Sequence, residues 1–138
     1  MYGKYGEIAI EATRKVWAEK KDPENAWKEA AAKIFYYSHS SKTKPCPRNA
    51  YTGLCEDGLV VGIKCTHVKG GKNKSYAVHA VHMLCRNPSL GNDRPTQLWR
   101  KVMGEMGIKD KQHNGQMDVV LALWDKDMIE REGIVKVM

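Results

Sequence analysis

The sequence holds one phenylalanine, no Cys-x2-Cys pair and no purely apolar run longer than the six residues Val119 to Trp124. Each shortage excludes something. With phenylalanine nearly absent, the large packing groups must come from four Trp, six Tyr and seven Met. Six apolar residues in a row fall far short of the roughly 18 to 20 needed to span a bilayer, so no membrane partner is expected. Met1 to Glu7 lacks the apolar stretch of a signal peptide. A cytoplasmic location is therefore expected, with Cys46, Cys55, Cys65 and Cys85 as free thiols. Gly70-Gly71-Lys72-Asn73-Lys74 lacks the Gly-x4-Gly-Lys-Ser/Thr order of a phosphate loop, so no mononucleotide site is indicated. His79, His82 and Cys85, three residues apart, share a helix face, with Cys65 or His67 as the candidate fourth ligand, but the pattern is too loose to imply a metal. No cofactor is implied.

Acidic residues are scarce in the middle of the chain, and this shortage is the most informative. Between Ser38 and Asn92 the only acids are Glu56 and Asp57, against eight bases. That section carries a net +6 of the total +7. Charge confined to one section forms a basic face, and basic faces attract polyanions.

The apolar content has helical periodicity. Six helices are predicted, giving a mainly α fold in one domain over 1–138. The first spans about Tyr5 to Glu19, with Tyr5, Ile8, Ala9, Ala12 and Val16 on one stripe. The second opens at Asp22-Pro23, the third at Cys46-Pro47, the fourth with Asn73 as its cap, and the fifth near Asp93-Arg94-Pro95. The sixth takes Asn114 as its cap and buries the Val119–Trp124 run. Ser38 to Lys44 reads as a polar loop. A minor strand pair, 59–63 with 134–138, is also expected.

These six segments resemble one unit used twice, in halves of about 4–62 and 72–132 joined by a Gly- and Lys-rich loop, 64–72. Tyr5 and Ala9 correspond to Tyr76 and Ala80 at an offset of 71, and Pro23 and Trp27 to Pro95 and Trp99 at 72. The segment from Glu56 corresponds to the one from Asp125 at 69. A three-helix half buries too little core to stand alone, so the halves are expected to pack together.

Two basic loops lead into predicted helix N-termini, where free backbone N–H groups and the positive dipole end favour phosphate. They supply the expected nucleic-acid contacts: Ser41, Lys42, Lys44, Arg48 and Asn49 from the first, and Lys69, Lys72, Asn73 and Lys74 from the second. Reversing Lys72 and Lys74 to Glu is then the direct probe. Each third helix is a candidate recognition helix, like that of a helix-turn-helix protein. The first would present Arg48, Asn49 and Thr52, and the second a polar site of His113, Asn114 and Gln116 with Lys126. For catalysis the groups are His113, with Asp118 five positions on, and Cys46 beside Lys44 and Arg48.

The stretch Lys44-Pro45-Cys46-Pro47-Arg48-Asn49-Ala50-Tyr51-Thr52-Gly53-Leu54-Cys55-Glu56 carries a resemblance, which Asn73 to Ala77 and His113 to Val120 extend. In these residues the chain resembles a small bacterial family bearing a domain of unknown function, over nearly its whole length. The resemblance implies one unified domain and brings no activity, cofactor or partner with it. The expected function rests on charge: a non-enzymatic protein binding DNA or RNA through phosphates. The alternatives are a small hydrolase or nuclease using His113 or Cys46, or a component of a phage-defence or toxin–antitoxin type system whose basic face meets an acidic protein.

Overall fold

The computed structural model describes residues 2–64 and 70–131. Six helices of ten residues or more carry it: α1 (Gly3–Glu19), α2 (Pro23–Ile34), α4 (Pro45–Glu56), α5 (Lys72–Arg86), α6 (Pro95–Met106) and α7 (Gln116–Asp125). The four-residue α3 (His39–Lys42) lies between α2 and α4, and a 3₁₀ turn, Pro88–Asn92, follows α5. The fold is mainly α, as the periodicity predicts, and no sheet forms among the described residues.

Local chemistry sets several boundaries. Asp22 accepts the backbone N–H of Asn25 at 3.1 Å, and Pro23 occupies the first turn of α2, where its missing N–H costs nothing. The Gln97 side chain accepts the N–H of Arg94 at 2.8 Å as α6 opens on Pro95. Gly107, at φ 69, ends that helix in the left-handed conformation that glycine adopts without steric cost.

α7 is the central element, packing against α1, α4, α5, α6 and the 3₁₀ turn. Its run from Val119 to Trp124 is buried on every side, which is how a helix apolar all round is accommodated. Small residues let its neighbours approach. A Cβ on Gly6 of α1 would lie 2.9 Å from the Ala122 Cβ and 3.1 Å from the Asp118 carbonyl oxygen. Trp27, Trp99 and Trp124 are buried anchors, and all four Trp lie in helices, but Trp17 is half exposed and donates its Nε1 proton to the Val61 carbonyl at 2.7 Å.

Gly53 has the same role between α4 and α5. A Cβ there would stand 2.5 Å from the Lys74 Cβ and Cγ and 3.0 Å from its Cα. Gly53→Ala gains roughly 1 kcal/mol of helix propensity, but overpacking against backbone costs about 1–3 kcal/mol, and the clash also disturbs the buried Lys74. The expected result is a net loss of about 1–2 kcal/mol in urea unfolding. A variant as stable as the parent would show that α4 and α5 are not in close contact here.

α4 and α7 end alike. Gly58 (φ 72) and Asp127 (φ 57) are left-handed, and the N–H groups of Leu59 and Met128 reach back to the carbonyls of Leu54 and Leu123, each at 2.9 Å. Val60 and Ile129 then form an isolated antiparallel bridge, with Val61 donating to Met128 and Glu130 to Leu59, both at 2.8 Å. Val60 therefore pairs with Ile129; the second half of the expected strand pair, 134–138, lies outside the described residues.

Three expectations need correction. Ser38 to Lys44 is not merely a loop, because the Ser38 hydroxyl oxygen accepts the N–H of Ser41 at 3.2 Å and starts α3. α5 is preceded by Gly71 as its cap residue, not Asn73, whose side chain is taken by a residue 43 positions away. α7 follows Gly115 in the left-handed region (φ 89), with no side-chain cap from Asn114. A Cβ on Gly115 would lie 3.0 Å from the Tyr5 ring, so packing as well as φ calls for glycine.

Candidate functional site

The predicted contact residues fall in two places. Asn49, Lys72, Asn73 and Lys74 line a hollow of about 490 Å³ between α4 and the start of α5. Asp22 and Glu24 from the start of α2 and Glu56 from α4 line it too, so carboxylates balance its cations. Asn49 and Lys72 are exposed there. Lys74 is buried, its ammonium 2.9 Å from Asp57 and 3.3 Å from Glu56. Burial pulls the Lys74 pKa down, but the hydrogen bonds and charges of Asp57 and Glu56 outweigh it, and the ammonium stays charged. Asn73 accepts at 2.9 Å from the Gln116 side-chain amide. Lys74 is thus an internal ion-pair partner and Asn73 a helix tether, neither a free phosphate ligand. Reversal of Lys74 would therefore test folding rather than binding. Lys69 lies outside the described residues.

Ser41, Lys42 and Lys44 are not part of that hollow and stand at the α3–α4 turn beside α1. The Tyr5 hydroxyl donates to the Ser41 carbonyl at 3.1 Å, and the Lys44 ammonium sits 5.5 Å from the Tyr5 ring centroid, within reach of a cation–π contact. Lys42 and Lys44 are half-exposed. Arg48, one turn into α4, is half-buried, and its Nε is buried without a hydrogen-bond partner.

The second polar site is chiefly a brace. His113 Nε2 accepts the Met117 N–H at 3.0 Å, and the Gln116 side-chain Oε1 accepts the Asn114 N–H at 2.7 Å. Both satisfy groups left open at the start of α7. Gln116 is fully buried, and Asp125 is the only exposed residue of α7, so the helix does not turn to solvent the polar face that a recognition helix would present. Lys126 is exposed just beyond α7, far along the helix from Gln116. His79, one of the three residues at metal-ligand spacing, instead meets Glu105 at 2.7 Å, and Arg86 shares that carboxylate.

Burial and the nearby Lys44 charge push His113 down to about 4, while burial, opposed by Lys44, pushes Asp118 up to about 6. His113 contributes stability in full above its ordinary 6.5 and loses it as pH falls to about 4. Asp118 contributes in full below its ordinary 3.8 and loses it as pH rises through about 6. Between these limits the folded protein keeps a proton on Asp118 and the unfolded chain keeps one on His113, so the two effects offset. Asp118→Asn is expected to uncover a urea midpoint that falls from pH 6.5 towards 4, and His113→Gln the opposite slope. Superimposable profiles for the parent and both variants would refute these assignments.

Cys55 is inert, its thiol pushed up to about 12 by burial, whereas Cys46 is half-buried at the start of α4. The sequence reading missed the exposed rings of Tyr36 and Tyr37. Their signal was present: Phe35, Tyr36 and Tyr37 run past the end of α2, where the apolar stripe has room to bury only the first.

Fold and site together define a helical protein closed around one central helix, with Lys42 and Lys44 at the α3–α4 turn outside any ion pair among the described residues. The chain belongs to a family of unknown function, DUF6979, which it matches over residues 2–130. No curated protein and no solved structure matches it. No helix among the described residues is long and apolar enough to cross a membrane.

Proposed function

We propose that this is a non-enzymatic, cytoplasmic nucleic-acid-binding protein that holds phosphates at the basic corner formed by Lys42 and Lys44. One observation carries the reading. Lys42, Lys44, Arg48 and Lys72 make no ion pair among the described residues, in a stretch whose only two acids, Glu56 and Asp57, both meet Lys74. Positive charge left without internal partners is available to a polyanion, and its attraction is released by salt. The Ser41 hydroxyl and the Cys46 N–H, the one backbone donor in the first three residues of α4 because Pro45 and Pro47 have none, lie beside it. The hollow at Asn49 and Lys72 takes a lesser part, because Asp22, Glu24 and Glu56 share it. The His113 ring nitrogen that a general base would use is already committed to Met117, which favours binding over catalysis.

The same reading treats the chain as a duplicated three-helix unit. What supports it is that the terminal turns of α4 and α7, and both bridge hydrogen bonds, recur at an offset of 69.

Fluorescence anisotropy with labelled duplex DNA, single-stranded DNA and RNA tests the proposal at about 50 mM and about 200 mM salt. Binding that weakens at least tenfold across that step is expected. An acidic protein partner that nucleic acid cannot displace, with no oligonucleotide bound at the lower salt, would overturn it.

A further inference from the structure

Past the end of α2 the chain leaves two adjacent rings in solvent, Tyr36 at 81% and Tyr37 at 61% exposure. They meet edge to face, with centroids 5.4 Å apart and planes at 87°. The Lys4 ammonium donates to the Tyr37 hydroxyl at 3.0 Å and lies 5.0 Å from that ring's centroid. Contacts then run inward without a break. Tyr37 packs on Phe35 (6.1 Å), Phe35 on Tyr5 (5.2 Å), and Tyr5 under Lys44 (5.5 Å). The exposed rings are therefore joined to the basic corner through one aromatic strip, with an ammonium at each end.

Exposed rings of this size cost free energy in water unless something covers them. What covers them must also suit Lys4, Lys42 and Lys44, which leaves an anionic, flat-faced occupant. We infer that Tyr36 and Tyr37 form a stacking platform for the unpaired bases of single-stranded nucleic acid, with Lys4 and the Lys42–Lys44 corner holding the phosphates on either side. This deepens the nucleic-acid reading and rests on it. The perpendicular ring planes suit splayed successive bases, which single strands provide and duplexes do not. Stacking accepts any base, so little sequence preference accompanies it. Tyr36 makes the cleaner test, because its only ring contact among the described residues is with Tyr37.

The experiment compares the parent with Tyr36→Ala, Tyr37→Ala and the double Tyr36→Phe/Tyr37→Phe variant. The probes are a labelled oligothymidylate of about 15 nucleotides and a duplex of equal length, with thermal melts confirming the fold. Each alanine variant is expected to lose about tenfold or more in single-strand affinity, as removal of a base-stacking ring does elsewhere. Duplex affinity should move less than about threefold, and the phenylalanine variant should bind like the parent. Unchanged single-strand binding by both alanine variants would overturn the platform while leaving phosphate binding intact. So would equal losses on both probes, or loss in the phenylalanine variant. A parent that binds neither probe, but binds anionic vesicles through these rings, would overturn the platform and the nucleic-acid reading together.

Discussion

Lys74→Met is expected to destabilise the fold by about 3 kcal/mol, although the substitution removes a lysine from the most basic part of the chain. Only 7% of Lys74 is exposed, and its ammonium is the shared partner of Glu56 and Asp57. Breaking a buried pair by deleting one member typically costs about 3–5 kcal/mol, because the remaining charge keeps its desolvation cost and loses its compensation. Asp57 keeps partial access to water, with 31% of its side chain exposed, which puts the loss at the low end of that range. Methionine keeps most of the stem that packs against Gly53, so the effect isolates the charge. Adding Asp57→Asn to Lys74→Met should restore about half of the loss, since that carboxylate is then no longer left without its ammonium. Urea unfolding of the three proteins measures both steps. A Lys74→Met variant within about 0.5 kcal/mol of the parent would show the ammonium to be solvated in the folded state.

The second large effect is on binding. Lys42→Glu/Lys44→Glu reverses two ammonium groups that form no ion pair among the described residues, although the Lys44 charge is felt by Asp118. Loss of two phosphate contacts and gain of two repulsions should weaken binding by about 100-fold at low salt, for duplex and single strand alike. The slope of log affinity against log salt should become shallower by about two. Lys72→Glu serves as the comparison. It lies at the hollow where Asp22, Glu24 and Glu56 already offset its charge, and it should cost less than about fivefold. Because the Lys44 charge also acts on His113 and Asp118, the double variant must first melt like the parent at pH 7. Equal losses for Lys72→Glu and the double variant would place the contact surface at the hollow instead.

How much of this was legible depended on distance along the chain. The opening of α6 at Pro95 was readable because its determinants lie within a few residues of it. The burial of Val119 to Trp124 was readable because the run has no polar interruption. The roles of Asn73 and Lys74 were not. Asn73 looks like a cap and Lys74 like a surface cation until α7 brings Gln116, and α4 brings Gly53, Glu56 and Asp57, against them. Likewise Val60 finds Ile129 through the closing turns of α4 and α7, a pairing that periodicity alone does not contain. At the candidate site, sequence located the charge of Lys42 and Lys44 correctly as a feature of the chain. It gave no means of separating those free groups from Lys74, because ion pairing is decided by tertiary contacts.

The most direct test of the central claim is the salt dependence of single-strand binding, measured side by side for the parent and Lys42→Glu/Lys44→Glu. A steep parent slope that loses about two units in the variant is the predicted result. Parallel slopes, or a parent affinity indifferent to salt, would contradict the assignment of phosphate contact to this corner.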